Sequence, residues 1–204
     1  FDGQKCVFEL ARYRIQAFSD ADIQAIVDTY CAALNEFRSD SPATIFRAGG
    51  WCIQPFDRLK APLLRNGIHV DSTVYRGGFM RSSPQHFDFR DAPRMNIWRF
   101  DDDPCTEVSD GPFTEIPIAA HRFWPSAYWG VAFGKLSNQS QHRPFVPGAP
   151  AKSSRMTLSK LLLLPSMGVV SLDGYRSRYL LAAWRRMTRH DRHFVTLGHP
   201  KAIT

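Results

Sequence analysis

Thr44-Ile45-Phe46-Arg47-Ala48-Gly49-Gly50-Trp51-Cys52 is the stretch on which the fold turns. Thr44, Ile45 and Phe46 read as a short buried strand, and Arg47 stands where it stops. Gly49 and Gly50 then permit a tight turn or a close backbone approach to a ligand. Downstream, residues 55–65 place Leu59, Leu63 and Leu64 at helical spacing, and Pro62 predicts a kink or a late start. Asn66-Gly67 closes that helix, and Ile68-His69-Val70-Asp71-Ser72-Thr73-Val74 is the next strand. A strand, a helix and a strand so close in sequence make a parallel crossover, so the class is α/β.

Outward from this unit the pattern continues. Ser19 reads as an N-cap, with Asp20 and Asp22 in the first turn. The helix it opens carries Ile26, Val27, Tyr30, Leu34 and Phe37 as its expected inner face and ends near Arg38. Residues 75–94, rich in Gly, Pro, Ser and Arg, read as a long loop. Residues 96–100 and 113–118 are two β runs forming a hairpin-like excursion, with Asp101-Asp102-Asp103-Pro104 as a solvated tip. Residues 121–129 are aromatic and irregular, and residues 137–154 read as a surface loop. Helices are predicted at 157–164 and 174–189, the second with Tyr179, Leu180, Ala183, Trp184 and Met187 inward. Phe194-Val195-Thr196-Leu197 is a last strand, followed by His199 and by Pro200, which ends pairing.

In α/β folds the carboxyl ends of strands are where chemistry is placed. Arg47 and His199 both follow strands, so a charge clamp and a proton donor are the candidate functional pair. Each also has a structural reading. Arg47 can pair with a buried carboxylate such as Asp71 or Glu115, His199 can cap a strand end, and Asp71 can cap a local turn through Ser72. Trp51, and the Trp124, Tyr128 and Trp129 cluster, are either core or a sugar-stacking wall.

The 204 residues are enough for one domain with a sizeable core, and a single domain over 1–204 is expected. A hydrophobic fraction of 44% with 22% charged residues is ordinary for a globular chain. The net charge of +7 is read as a solvated basic face, because zinc-finger spacing and aromatic RNA-binding patterns are missing; no nucleic-acid partner is expected. Four scattered cysteines without a CxxC pair indicate neither a disulfide scaffold nor a structural zinc site. Most read as reduced core thiols, with Cys52 as the one to watch beside the glycine turn. No signal peptide and no bilayer-length apolar run is visible, so no membrane span is expected and a cytoplasmic location is favoured.

Phe46-Arg47-Ala48-Gly49-Gly50-Trp51-Cys52, then residues 67–78 (GIHVDSTVYRGG), Thr114-Glu115-Ile116-Pro117-Ile118 and residues 194–204 (FVTLGHPKAIT) come in an order that resembles the polysaccharide deacetylase (NodB-homology) family. The likeness runs from about Ser19 to the end and points to a divergent branch linked to surface-polysaccharide gene clusters. It implies a distorted, incomplete (β/α) barrel with a β-hairpin insertion. It also implies a metal-dependent hydrolase that removes acetyl groups from a glycan. In that family a metal and a base activate a water, a late histidine protonates the leaving group and an arginine positions the base.

By resemblance Arg47 is the positioning arginine, His199 the acid, and Asp71 the carboxylate that tunes it. Trp51 and Tyr75 line the sugar groove. The cofactor implied is a divalent metal, by expectation zinc. Its ligands, an early aspartate pair and two histidines one turn apart, are not found in this chain, so no metal ligand is assigned. His190 and His193 have a helical spacing but read as surface residues. The chain is accordingly expected to begin after those motifs and to hold half of a catalytic site. The alternative is a catalytically inactive carbohydrate-binding or scaffold protein of a surface-polysaccharide biosynthesis locus.

Overall fold

A computed structural model describes residues 14–37, 41–82, 84–136, 155–172, 177, 179–187 and 193–198. The chain forms two compact units, Phe1–Pro117 and Ile118–Thr204. Together they make a mixed α/β protein with five α-helices among the described residues.

Unit 1 opens with α1 (Asp20–Glu36), whose start is fixed by a reciprocal capping box. The Ser19 hydroxyl accepts from the Asp22 N–H at 3.1 Å, and the Asp22 carboxylate accepts from the Ser19 N–H at 3.2 Å. The helix buries Ile23, Val27 and Cys31 and packs on α2 (Asp57–Arg65). This corrects the expected inner face: Ile26, Tyr30, Leu34 and Phe37 are exposed, Phe37 at 87%. The exposed apolar residues follow a helical spacing just as the buried ones do, and periodicity alone does not say which set a neighbour covers.

The strand–helix–strand order is present, but the first strand is not the buried one expected, since Ile45 is 62% exposed at the sheet edge, and the second is only two residues long. Ile45 and Phe46 form β1, which pairs in parallel with β2 (Val70–Asp71), and α2 joins them. Leu59, Pro62 and Leu63 are buried on one side of α2, so Pro62 serves as an apolar contact within the helix. Gly67, at φ +72°, lets the chain turn back, and the Ile68 N–H reaches the Leu63 carbonyl at 3.0 Å.

Trp98–Phe100 (β5) and Phe113–Glu115 (β6) pair antiparallel, as expected of a hairpin. They are not an excursion from the sheet, however. Strand β6 lies beside β2 in parallel register, giving the order β1-β2-β6-β5 with an antiparallel strand at the edge. The stretch read as a loop after Tyr75 instead holds an antiparallel hairpin, Phe79–Arg81 (β3) with His86–Asp88 (β4). Its pattern was hidden because only the second strand alternates: Phe87 and Phe89 are buried between half-exposed His86 and Asp88. Beneath the sheet Phe56, Phe100 and Phe113 meet at centroid distances of 4.8 to 5.4 Å. Each buried ring contributes about 2–3 kcal/mol by removal from water.

Unit 2 contains Ala120–Phe123 (β7) paired antiparallel with Ser166–Val169 (β8). Helices α3 (Pro125–Leu136), α4 (Arg155–Leu163) and α5 (Leu180–Met187) accompany them. The aromatic stretch read as irregular is thus β7 and the start of α3. Val195 and Leu197 make parallel bridges to Ile118 and Ser171, in keeping with the last predicted strand. On α5, Ala183 is fully buried while Trp184 is 48% exposed, so the inward stripe is narrower than its apolar sequence implies.

Candidate functional site

The carboxyl ends of the three parallel strands of unit 1 hold a connected polar network. Two segments leave β1 and β2 side by side. Arg47, just past β1, donates from Nε to the Ser72 carbonyl at 2.7 Å and from Nη2 to the Ser72 hydroxyl at 2.9 Å. Next to it the Ala48 N–H donates to Thr73 Oγ1 at 2.8 Å. Further along, Trp51 and Tyr75 meet edge to face, with ring centroids 5.6 Å apart. Three of the residues named from sequence, Arg47, Trp51 and Tyr75, therefore stand on adjoining strand exits.

Backbone form explains the turn. Gly50 has φ +61°, which the glycine permits, and Trp51 follows in the same left-handed region, also at φ 61°. For a non-glycine residue that conformation costs about 1–2 kcal/mol. The tilted contact of Trp51 with Phe87, at 5.9 Å, and the edge of Tyr75 help hold it. Both Trp51 and Tyr75 are half-buried against the aromatic core, so each is in part a packing residue.

Asp71, the last residue of β2, lies beneath these exits and is fully buried. Its carboxylate accepts from the Thr73 N–H at 3.0 Å and from Thr73 Oγ1 at 2.7 Å. It does cap a local turn, through Thr73 rather than Ser72. Arg47 reaches neither Asp71 nor Glu115 among its hydrogen bonds, which go to Ser72. Instead the two acids face each other. Glu115 ends β6, is in register with Asp71, and is equally buried. Its Oε1 accepts from the Val74 N–H at 3.0 Å. Desolvation, then the Asp71 charge, hold the Glu115 carboxyl well above the ordinary carboxylate range. Desolvation likewise raises Asp71, against the lowering effect of its hydrogen bonds.

Glu115 was named from sequence only as a partner for Arg47. Its pairing with Asp71 follows from the β2–β6 register, which no local pattern encodes. The resemblance pairs Asp71 with His199, but that histidine lies outside the described residues, as does His190. His69 and His193 are exposed.

Cys52 is buried, and burial pushes its thiol up rather than activating it. Burial, followed by nearby acids including Asp103 and Glu115, raises the Cys105 thiol further. The acidic run after β5 is a tip: Lys60 pairs with Asp101, and with Asp102 at 2.8 Å, while Asp103 holds the turn through the Cys105 N–H at 3.0 Å.

Among the described residues no group of three or more His, Cys, Asp or Glu comes together to hold a metal ion. The Asp71–Glu115 pair does not fit that task either: it brings two carboxyls and no third ligand, and three of their four oxygens already accept from Thr73 and Val74 in a sealed setting. Among the described residues no helix is long and apolar enough to cross a membrane. Comparison with family models, with curated proteins and with solved structures finds no match to this chain.

Proposed function

We propose that this protein acts on a glycan as a hydrolase of the polysaccharide deacetylase type, removing acetyl groups. The observation that carries this reading is the pair of strand exits after β1 and β2. One presents Arg47 and Trp51, the other Ser72 and Tyr75, in the chain order that the family resemblance assigns. The parallel β1-β2-β6 arrangement is compatible with an arc of a distorted (β/α) barrel.

The chemistry drawn from this chain's own residues is limited to binding and proton transfer. Arg47 is held by two hydrogen bonds to Ser72, so its remaining N–H groups keep a fixed direction toward an anionic or carbonyl oxygen. Trp51 and Tyr75 offer apolar ring surface suited to a pyranose. His199 is the proposed donor to the leaving group. Among the described residues no ligand set for a metal comes together.

The test uses the full chain with added zinc and acetylated chito-oligosaccharide, with released acetate as the readout. Acetate release by the wild type, lowered about 100-fold or more in His199→Ala with circular dichroism unchanged, supports the reading. A second reading, a carbohydrate-binding scaffold, is favoured by the internal use of both carboxyls. It predicts oligosaccharide binding by titration calorimetry that Trp51→Ala weakens, with no acetate released. A chain that neither binds nor deacetylates the oligosaccharide refutes both.

A further inference from the structure

The geometry assigns one shared proton to the Asp71–Glu115 pair, making it a pH-sensitive lock on the turn over residues 72–74 that anchors Arg47. The two side chains face each other on neighbouring strands in register, and neither has any solvent exposure. Two carboxylates in such a place repel each other and lack water, so holding both charged is strongly unfavourable. The hydrogen bonds say which acid keeps the proton. Both Asp71 oxygens accept from Thr73, one from the N–H and one from the hydroxyl. Glu115 uses Oε1 on the Val74 N–H, and its buried Oε2 meets no N–H or O–H donor. With the two carboxyls side by side in register and sealed from water, a proton on one of them turns repulsion into a hydrogen bond to the other. Glu115 has the oxygen to spare, so it is the donor and Asp71 the anion.

The ionisable groups around the pair do not replace that proton. On the β1 side Arg47 is bonded to Ser72. On the β5 side Arg99 is exposed and donates to the Gly111 carbonyl. After β5 comes Cys105, whose thiol is raised by burial and by the charges of acids outside the pair, Asp103 first, then Asp88 and Asp91. These neighbouring acids make a second buried negative charge still less favourable.

Loss of the proton leaves two facing anions and loosens the turn whose N–H groups, on Thr73 and Val74, they hold. Ser72 moves with that turn, and Arg47 loses its anchor. The native state keeps a proton that the unfolded chain releases above the ordinary carboxyl range. The pair's contribution is therefore complete below that range and is lost as pH rises through the pair's own titration. One extra native-state proton makes the unfolding constant rise about tenfold per pH unit. None of this depends on the glycan reading.

The experiment is denaturant unfolding of the full chain from pH 5 to pH 9, wild type against Glu115→Gln. The glutamine amide supplies the hydrogen bond without titrating. The expected result is a wild-type unfolding constant that steepens by about tenfold per pH unit relative to the variant across part of this range. Amide-exchange protection at Thr73 and Val74 is expected to fall with pH in the wild type and to hold in the variant. Infrared spectroscopy at neutral pH is expected to show a buried protonated-carboxyl carbonyl stretch that Glu115→Gln removes. Equal pH slopes in the two proteins, or no such stretch in the wild type, overturn the proposal. Should the variant fail to fold, the wild-type infrared band decides by itself.

Discussion

In unit 1 the rings packed on the sheet, Phe56, Phe87, Phe89, Phe100 and Phe113, are at most 1% exposed, though Phe37 at the end of α1 is not covered; in unit 2 Phe123 is buried, but Trp124, Trp129, Phe133 and Leu163 keep 50% or more of their surface in solvent. The side chains are of the same chemical kind, so composition does not separate the two units. Topology does. A parallel crossover places a helix over the sheet, and a second strand pair in unit 1, β3 with β4, brings Phe87 beside Phe89 at 4.9 Å. In unit 2 the antiparallel β7–β8 pair accompanies a cluster built on Ala119, Val170 and Ala183, which are small residues. The polar network around Arg47 is found where large rings give rigid support. A group aimed at a ligand gains from a support that does not yield.

The widest separation between the two units is expected from Phe100→Ala against Trp129→Ala. Removing the Phe100 ring opens a cavity beside Phe56 and Phe113 and lowers stability by about 3–5 kcal/mol. All four cysteines, at 6, 31, 52 and 105, precede Ile118, so thiol labelling in denaturant follows unit 1 alone. Cys52 and Cys105 have thiols raised by burial and react slowly until the unit opens. Phe100→Ala is expected to bring their labelling to clearly lower denaturant. If labelling is unmoved, the ring trio is not what holds unit 1 together.

Much of unit 1 was legible in the sequence because its signals are local. The α1 cap, the β1–α2–β2 crossover, the Asn66-Gly67 stop and the β5–β6 pairing all follow from residues a few positions apart. What escaped depends on neighbours distant in the chain. Which stripe of α1 turns inward is decided by α2. The β3–β4 hairpin was masked by glycine, proline and arginine, which resemble loop composition. The partner of Asp71 was missed because parallel register joins positions 71 and 115, and no motif reports that. In unit 2 the aromatic stretch defeated periodicity, since its rings are divided between β7, which ends on buried Phe123, and the exposed start of α3. Of the named site residues, sequence placed Arg47, Trp51 and Tyr75 on adjoining exits but not the hydrogen bonds that hold them.

A smaller effect sharpens the contrast within unit 1. Ser19→Ala removes the hydroxyl that accepts from Asp22, exposes one more helix N–H to water alone, and lowers stability by about 1 kcal/mol. Thermal unfolding read by circular dichroism measures it. A loss as large as that from Phe100→Ala would mean that α1, with its exposed outer stripe, governs the unit more than the sheet core does.

Trp129→Ala is expected to do least. The ring is half exposed, and its indole N–H donates to the Leu162 carbonyl at 2.9 Å, tying α3 to α4 at the surface. Truncation removes that bond and some contact with Leu162, but water can satisfy the freed carbonyl, so the loss is about 1 kcal/mol or less. Thiol labelling of unit 1 is expected to stay where it is in the wild type. If Trp129→Ala instead shifts labelling as far as Phe100→Ala does, the large rings of unit 2 bear on the stability of unit 1. The contrast drawn from exposure would then fail as a guide to where this chain keeps its free energy.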